Sequence, residues 1–173
     1  VACTVTASPV VGRAGASAAV LAEAGAPGVA DPGAALVRAA HAAGIRVVPL
    51  VGPSSLLLAL MASGLEGQRF AFHGYLPVPE ADLSRRLAAI EADSRLRRAT
   101  AIFIETPYRN DRLLQAIVSV CADDTLLCLA TDITLPAEAV ATHTVAHWRT
   151  LRHRIGKRPT VFLLLAGARR RPT

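Results

Sequence analysis

Short apolar runs alternate with longer, more polar stretches of helical periodicity along most of this chain, and that alternation narrows the choice of fold. Residues 18–22, 46–50, 70–75, 100–105, 126–130, 140–145 and 160–165 read as strands. Residues 34–43, 54–62, 80–97 and 110–120 carry apolar positions at helical spacing. Such a sequence of elements predicts an α/β fold, with helices covering a largely buried sheet. The run Thr160 to Leu165 is apolar almost throughout and should be central, whereas 140–145 alternates and should lie at an edge. Gly44 should close the helix over 34–43, and Ser54 should cap the one that follows Gly52-Pro53. The long helix over 80–97 should turn Leu83, Leu87 and Ile90 inward. The polar, Gly-containing stretch at 64–69 predicts two domains, 1–66 and 67–173.

The segment Glu-Ala-Gly-Ala-Pro-Gly-Val-Ala-Asp-Pro-Gly, residues 23–33, lies between the first predicted strand and the first predicted helix. Its glycines permit positive φ and close approach of another molecule to the main chain. Its prolines stiffen the loop and reduce the entropy lost on binding. Open α/β sheets bind ligands at such a place, just beyond the carboxyl end of a strand. A tight turn with Asp31 capping a helix that has Pro32 at its first position would account for the same residues.

With 52% apolar residues, the 173-residue chain can bury a substantial core. No apolar run reaches the roughly eighteen residues that a membrane span requires. The three cysteines have no metal-ligand spacing, and Cys121 and Cys128 read as reduced core thiols in a cytoplasmic protein. The net charge of +6 gathers at 85–86, 95–98, 149–158 and 169–171. A surface of that kind attracts polyanions such as RNA, although a solvated arginine-rich surface would have the same composition. His41, His143, His147 and His153 show no metal-ligand pattern, and Tyr75 and Trp148 read as packing aromatics able to stack a base or a ring.

Four motifs follow one another in order: Gly25-Ala-Pro-Gly-Val-Ala-Asp-Pro-Gly33, Val47-Val-Pro-Leu-Val-Gly-Pro-Ser-Ser55, Phe103-Ile-Glu-Thr-Pro-Tyr-Arg109, and Thr131-Asp-Ile-Thr-Leu-Pro136 with the closing strand from Pro159 to Phe162. Together they resemble the tetrapyrrole-methylase superfamily of S-adenosylmethionine-dependent methyltransferases. The likeness is strongest to the branch that methylates the ribose 2′-oxygen of cytidine in 16S ribosomal RNA. It implies two small α/β/α domains with S-adenosyl-L-methionine in the cleft between them, a homodimer, and a ribosomal small-subunit RNA substrate. It places Ala24, Gly25, Ala26 and Val29 against the cofactor, Ser54 and Ser55 on a second contact, and Glu105 and Ile133 on the contacts from the second domain.

Family members open with a Gly-x-Gly-x-Gly-Asp loop that residues 1–20 lack, so part of the first domain is expected to be missing. The third motif usually reads Glu-Ser-Pro-His-Arg, and Thr106 and Tyr108 depart from it. The fourth lacks the two basic residues of the usual Arg-Glu-Leu-Thr-Lys string. A tetrapyrrole or other small molecule is therefore an alternative substrate, and a truncated, non-catalytic interaction module is a third reading.

Methyl transfer from a sulfonium is an in-line displacement governed by alignment. A ribose hydroxyl would also need a base. Glu105, at the end of an apolar strand, is the first candidate and Asp132 the second. A pairing of Glu105 with Arg109 would account for both residues as well, and Arg109 could instead grip a phosphate or pair with Asp132.

Overall fold

The computed structural model describes residues 19–20, 26–30 and 33–167, and the chain divides into two units, Val1–Ser55 and Leu56–Thr173. In the first, helix α1 (Ala34–Ala42) follows the Gly/Pro loop. Gly33 at φ 145° is its N-cap, so the helix begins two positions beyond Pro32, and the expected proline start is not met. Asp31, Pro32 and nearly all of the strand predicted at 18–22 lie outside the described residues. The helix ends as the sequence predicts. Gly44 takes the left-handed conformation at φ 68°, its N–H donates to His41, and that of Ile45 donates to Ala40. This pair of bonds satisfies carbonyls that the helix end leaves open.

The strand expected at 46–50 is absent: the backbone there is irregular and Leu50 and Val51 are exposed. An apolar run becomes a strand only where a neighbour takes up its main-chain hydrogen bonds, and no described residue does so here.

The second unit is a five-stranded mixed sheet covered on both faces. Its elements are α2 (Ser55–Ser63), β1 (Phe70–Tyr75), α3 (Glu80–Arg97), β2 (Thr100–Ile104), a 3-10 turn (Pro107–Arg109), α4 (Asn110–Val120), β3 (Leu126–Thr131), β4 (Ala139–Thr144), α5 (Val145–Thr150) and β5 (Thr160–Leu165). The strand order is β1-β2-β5-β3-β4, with β5 central and β4 at an edge. β1 pairs parallel with β2, while β5 runs antiparallel to both β2 and β3.

Strand alternation divides the core in two. Ala101, Phe103, Leu127, Leu129, Phe162 and Leu164 face α3, α4 and α5, where they join Leu83, Leu87, Ile90, Leu113, Ile117 and Trp148. Ile102, Cys128, Ala130, Val161 and Leu163 face the other way and meet Leu56, Ala59 and Leu60 of α2. Burial on both sides is why the inner strands are continuous apolar runs. Phe103 and Phe162 sit opposite each other in register, their rings stacked at 5.8 Å.

Helix α3 has Glu80 and Asp82 in its first turn and Arg95 and Arg97 in its last, a charge order that suits the helix dipole. Helix α5 occupies a place where the sequence predicts strand to 145 and nothing after it. It is capped by Thr144, whose hydroxyl accepts from the His147 N–H, and it is anchored by Trp148, whose indole donates to the Leu127 carbonyl at 2.9 Å.

Candidate functional site

Because β5 runs against both β2 and β3, the carboxyl ends of those two strands and the start of β5 lie at the same end of the sheet. Ile104 pairs with Val161, Thr131 pairs with Thr160, and the Asp132 N–H donates to the Pro159 carbonyl at 2.9 Å. Glu105 and Asp132 therefore leave the sheet on either side of β5. Tyr75, opposite Ile104, ends β1 at this edge too and is exposed.

Each carboxylate here is held by an arginine. Glu105 is 7% exposed, and its Oε2 accepts from Arg109 Nη2 at 2.7 Å. Its Oε1 accepts from the Thr106 N–H at 2.7 Å and the Thr106 hydroxyl at 3.1 Å. Asp132 accepts from Arg158 Nε at 2.6 Å, and the same guanidinium also donates to the Ala137 carbonyl. Arg109 therefore belongs to Glu105 and not to Asp132.

The turn leaving β3 is conformationally costly. Asp132 and Thr134 have φ values of 50° and 69°, a region that residues with a side chain enter only when their surroundings hold them there. Here the Leu135 N–H closes onto the Asp132 carbonyl, and the Thr134 N–H donates to Glu138 at 2.7 Å. Ile133, between the two left-handed residues, is directed onto the α2 side of the core. The structure thus brings Glu105 and Ile133 to one end of the sheet.

Two buried polar atoms at this end have no protein partner among the described residues. They are Arg109 Nε and Asn110 Oδ1. Buried polar groups in folded proteins nearly always have a partner, so a donor and an acceptor left over beside a strand-end ion pair suit a site completed by a bound molecule.

The other sequence-predicted residues are placed as follows. Ala24 and Gly25 lie outside the described residues. Ala26 accepts from the Val29 N–H at 3.0 Å, closing a turn in which Gly28 has φ 82° and Ala30 φ 60°. Space around Gly28 is open, whereas a Cβ on Gly33 would come within 3.3 Å of the Gly28 nitrogen. Ser54 stands directly before α2 and Ser55 opens it. His41 is exposed on α1, and Trp148 is buried as a packing residue. His143, His147 and His153 gather around Trp148, with ring centroids 4.5 to 5.3 Å apart along the chain of contacts. Among the described residues no group of histidine, cysteine or acidic side chains is placed to hold a metal ion.

Sequence reasoning missed Asn110, Asp111 and Arg158. Asn110 Nδ2 donates to the Arg158 carbonyl at 2.7 Å, and Asp111 Oδ1 accepts from the Ile155 N–H at 2.7 Å. An Asn-Asp pair at a helix start reads as capping residues, but both side chains turn away to the loop before β5. The useful signal was the buried polarity of Asn110, which a helix terminus alone does not require.

A mixed five-stranded sheet covered by helices on both faces, with a strained, ion-paired strand end, is an α/β architecture of the open-sheet class. The family model described as Tetrapyrrole (Corrin/Porphyrin) Methylases matches residues 11–148, and the chain belongs to that family. It is 38% identical over 136 residues to the ribosomal RNA small subunit methyltransferase I of Xylella fastidiosa strain Temecula1, covering 79% of this chain and 48% of that protein. The corresponding protein of Escherichia coli O157:H7 is 40% identical over 126 residues, covering 73% of this chain and 43% of the relative. The chain thus spans about half the length of these curated relatives. The crystal structure of the methyltransferase CobJ superposes with a TM-score of 0.61 at 24% identity, covering 92% of this chain and 69% of that one. Diphthine synthase superposes at 0.59 with 17% identity, covering 91% and 63%. These two likenesses establish the shared fold.

Proposed function

We propose that this chain carries the cofactor-binding part of an S-adenosyl-L-methionine-dependent methyltransferase acting on the ribose 2′-oxygen of small-subunit ribosomal RNA. The observation that carries the reading is its 38–40% identity, over about three quarters of its length, to proteins named ribosomal RNA small subunit methyltransferase I; the ribose 2′-oxygen rests on the resemblance of the ordered motifs. Each unit, taken by itself, offers groups that support this reading. The loop at Gly28 leaves its main chain open to approach, and the first turn of α2 offers N–H groups and the Ser54 and Ser55 hydroxyls to a carboxylate. Arg109 and Asn110 have a donor and an acceptor to spare.

In this reading the main chain at Ala24, Gly25 and Ala26 holds the cofactor, Val29 lies beside its adenosine, and Glu105 and Ile133 supply further contacts. When bound, the cofactor supplies an electrophilic methyl group on sulfur. The chain's own residues bind, orient and exclude water. Glu105 suits an anchoring role better than that of a base: its carboxylate already accepts three hydrogen bonds, which hold it in place and leave one lone-pair site for any other partner. By the same resemblance the working form is a cytoplasmic homodimer, which sedimentation of the purified protein would test.

A small-molecule substrate is the second reading, favoured by the exposed rings of Tyr75, which ends β1 opposite Ile104, and of Tyr108, in the turn after Glu105. A planar macrocycle could stack on either. Titration calorimetry with S-adenosylhomocysteine tests the cofactor, and transfer of labelled methyl to small-subunit RNA or to a uroporphyrin tests the substrate. Failure to bind S-adenosylhomocysteine would leave this chain as a non-catalytic interaction module.

A further inference from the structure

The loop joining α5 to β5, residues 151–159, is held far more firmly than a surface connection requires. Asp111 Oδ1 accepts from the N–H groups of Ile155 and Gly156, at 2.7 and 3.3 Å. Asn110 Nδ2 donates to the carbonyls of Gly156 and Arg158. Ile155 is buried to 2% exposure in the core, and the His153 ring packs edgewise on Trp148 at 5.3 Å. Gly156 adopts φ 68°, which a side chain would resist.

The charge on this loop has an equally definite order. Its two flanks are neutralised, Arg149 by Asp123 and Arg158 by Asp132. Between them Arg152, Arg154 and Lys157 are exposed and form no ion pair among the described residues. On α3 most cations are paired: Arg85 with Asp82, Arg95 with Glu91 and Asp124, and Arg97 with Asp93, while Arg86 contacts His73 and forms no ion pair among the described residues. Three unpaired cations on a pinned backbone repel one another in the free protein, and a row of phosphates relieves that repulsion. Because the conformation is already fixed, little entropy is lost when they are engaged. Arg158 and Asn110 also tie this loop to the strand end that holds Glu105 and Asp132.

We propose that residues 152–157 form the surface on which the second unit docks the phosphate backbone of its RNA. The proposal rests on the RNA reading above. Phosphate contacts fix position and orientation without reading sequence, which suits a loop tied to the strand end that holds Glu105 and Asp132.

The test uses the 173-residue chain, a labelled single-stranded RNA oligonucleotide, and fluorescence anisotropy at a series of salt concentrations. The expected result is that R152Q/R154Q/K157Q lowers the slope of log affinity against log salt by about 2, since each phosphate contact on a single strand contributes about 0.7. Affinity for S-adenosylhomocysteine should be unchanged in that variant. R85Q/R97Q, which removes two paired cations, should keep the wild-type slope. Wild-type slope in the triple variant, or an equal loss in the α3 variant, would overturn the loop assignment while leaving the RNA reading intact. Absence of salt-sensitive RNA binding by the unaltered chain would overturn both.

Discussion

Glu105 and Arg109 are one helical turn apart in sequence and share a mostly buried ion pair at 2.7 Å. Removing one member of such a pair costs more than the pair contributes, because the other is left charged and partly desolvated. Glu105→Gln should therefore lower stability by about 2–3 kcal/mol, read as a lower urea midpoint with an unchanged slope. If Glu105 anchors the cofactor contact, affinity for S-adenosylhomocysteine falls in the same variant. A catalytic base would instead lose turnover with that affinity intact. A second prediction concerns Cys121, whose thiol is pushed up to about 12, chiefly by burial, with Glu91 adding to the shift and Arg149 opposing it. In the unfolded chain this thiol ionises near its ordinary value of 9.0, so between about 9 and 12 the unfolded state holds fewer protons than the folded one. Its contribution is complete below pH 9 and is lost as pH rises through that window. The stability difference between wild type and Cys121→Ala should accordingly be flat from pH 7 to about 8.5 and then shrink, by up to about 1.4 kcal/mol per pH unit. A difference that stays constant to pH 10.5 would contradict the burial of this thiol.

At the scale of elements, the connection from α5 to β5 offers the clearest measurement. Asp111→Ala leaves the N–H groups of Ile155 and Gly156 without their acceptor, and hydrogen exchange at those two amides should quicken at least about tenfold while β5 stays protected. Equal quickening throughout β5 would mean that the loop and the sheet open together. The elements that sequence revealed are those whose burial is strong and local. Glu80–Arg97 was legible from Leu83, Leu87 and Ile90, and β2 and β5 from apolar runs buried on both faces. The failure at 46–50 is instructive, because Val47-Val48 has strand character but no described neighbour to pair with. Helix α5 was missed for the opposite reason: Val, His, Trp and Thr are weak helix formers, and the turn is held by the Thr144 cap and the Trp148 indole. Glu105 and Ile133 were singled out by the ordered motifs, and the structure places both at one end of the sheet. The Arg158–Asp132 pair spans 26 residues and follows only from the antiparallel register of β3 and β5.

At the scale of the whole molecule, the division between Ser55 and Leu56 makes unfolding a two-part question. The chain has one tryptophan, Trp148, and it is 4% exposed within the core of the second unit. Its fluorescence therefore reports the unfolding of that unit, whereas far-ultraviolet circular dichroism also registers α1 in the first. A ligand that binds only folded protein stabilises whichever part supplies its contacts, by about 2.7 kcal/mol at a hundredfold excess over its dissociation constant. If Glu105 and Ile133 are among those contacts, as proposed, saturating S-adenosylhomocysteine should move the Trp148 midpoint to higher urea by the amount that its measured affinity requires. A shift seen by circular dichroism with the Trp148 midpoint fixed would confine the cofactor to the first unit. In that event the strained turn at Asp132 and Thr134, with its paired carboxylates, would have to serve the substrate alone.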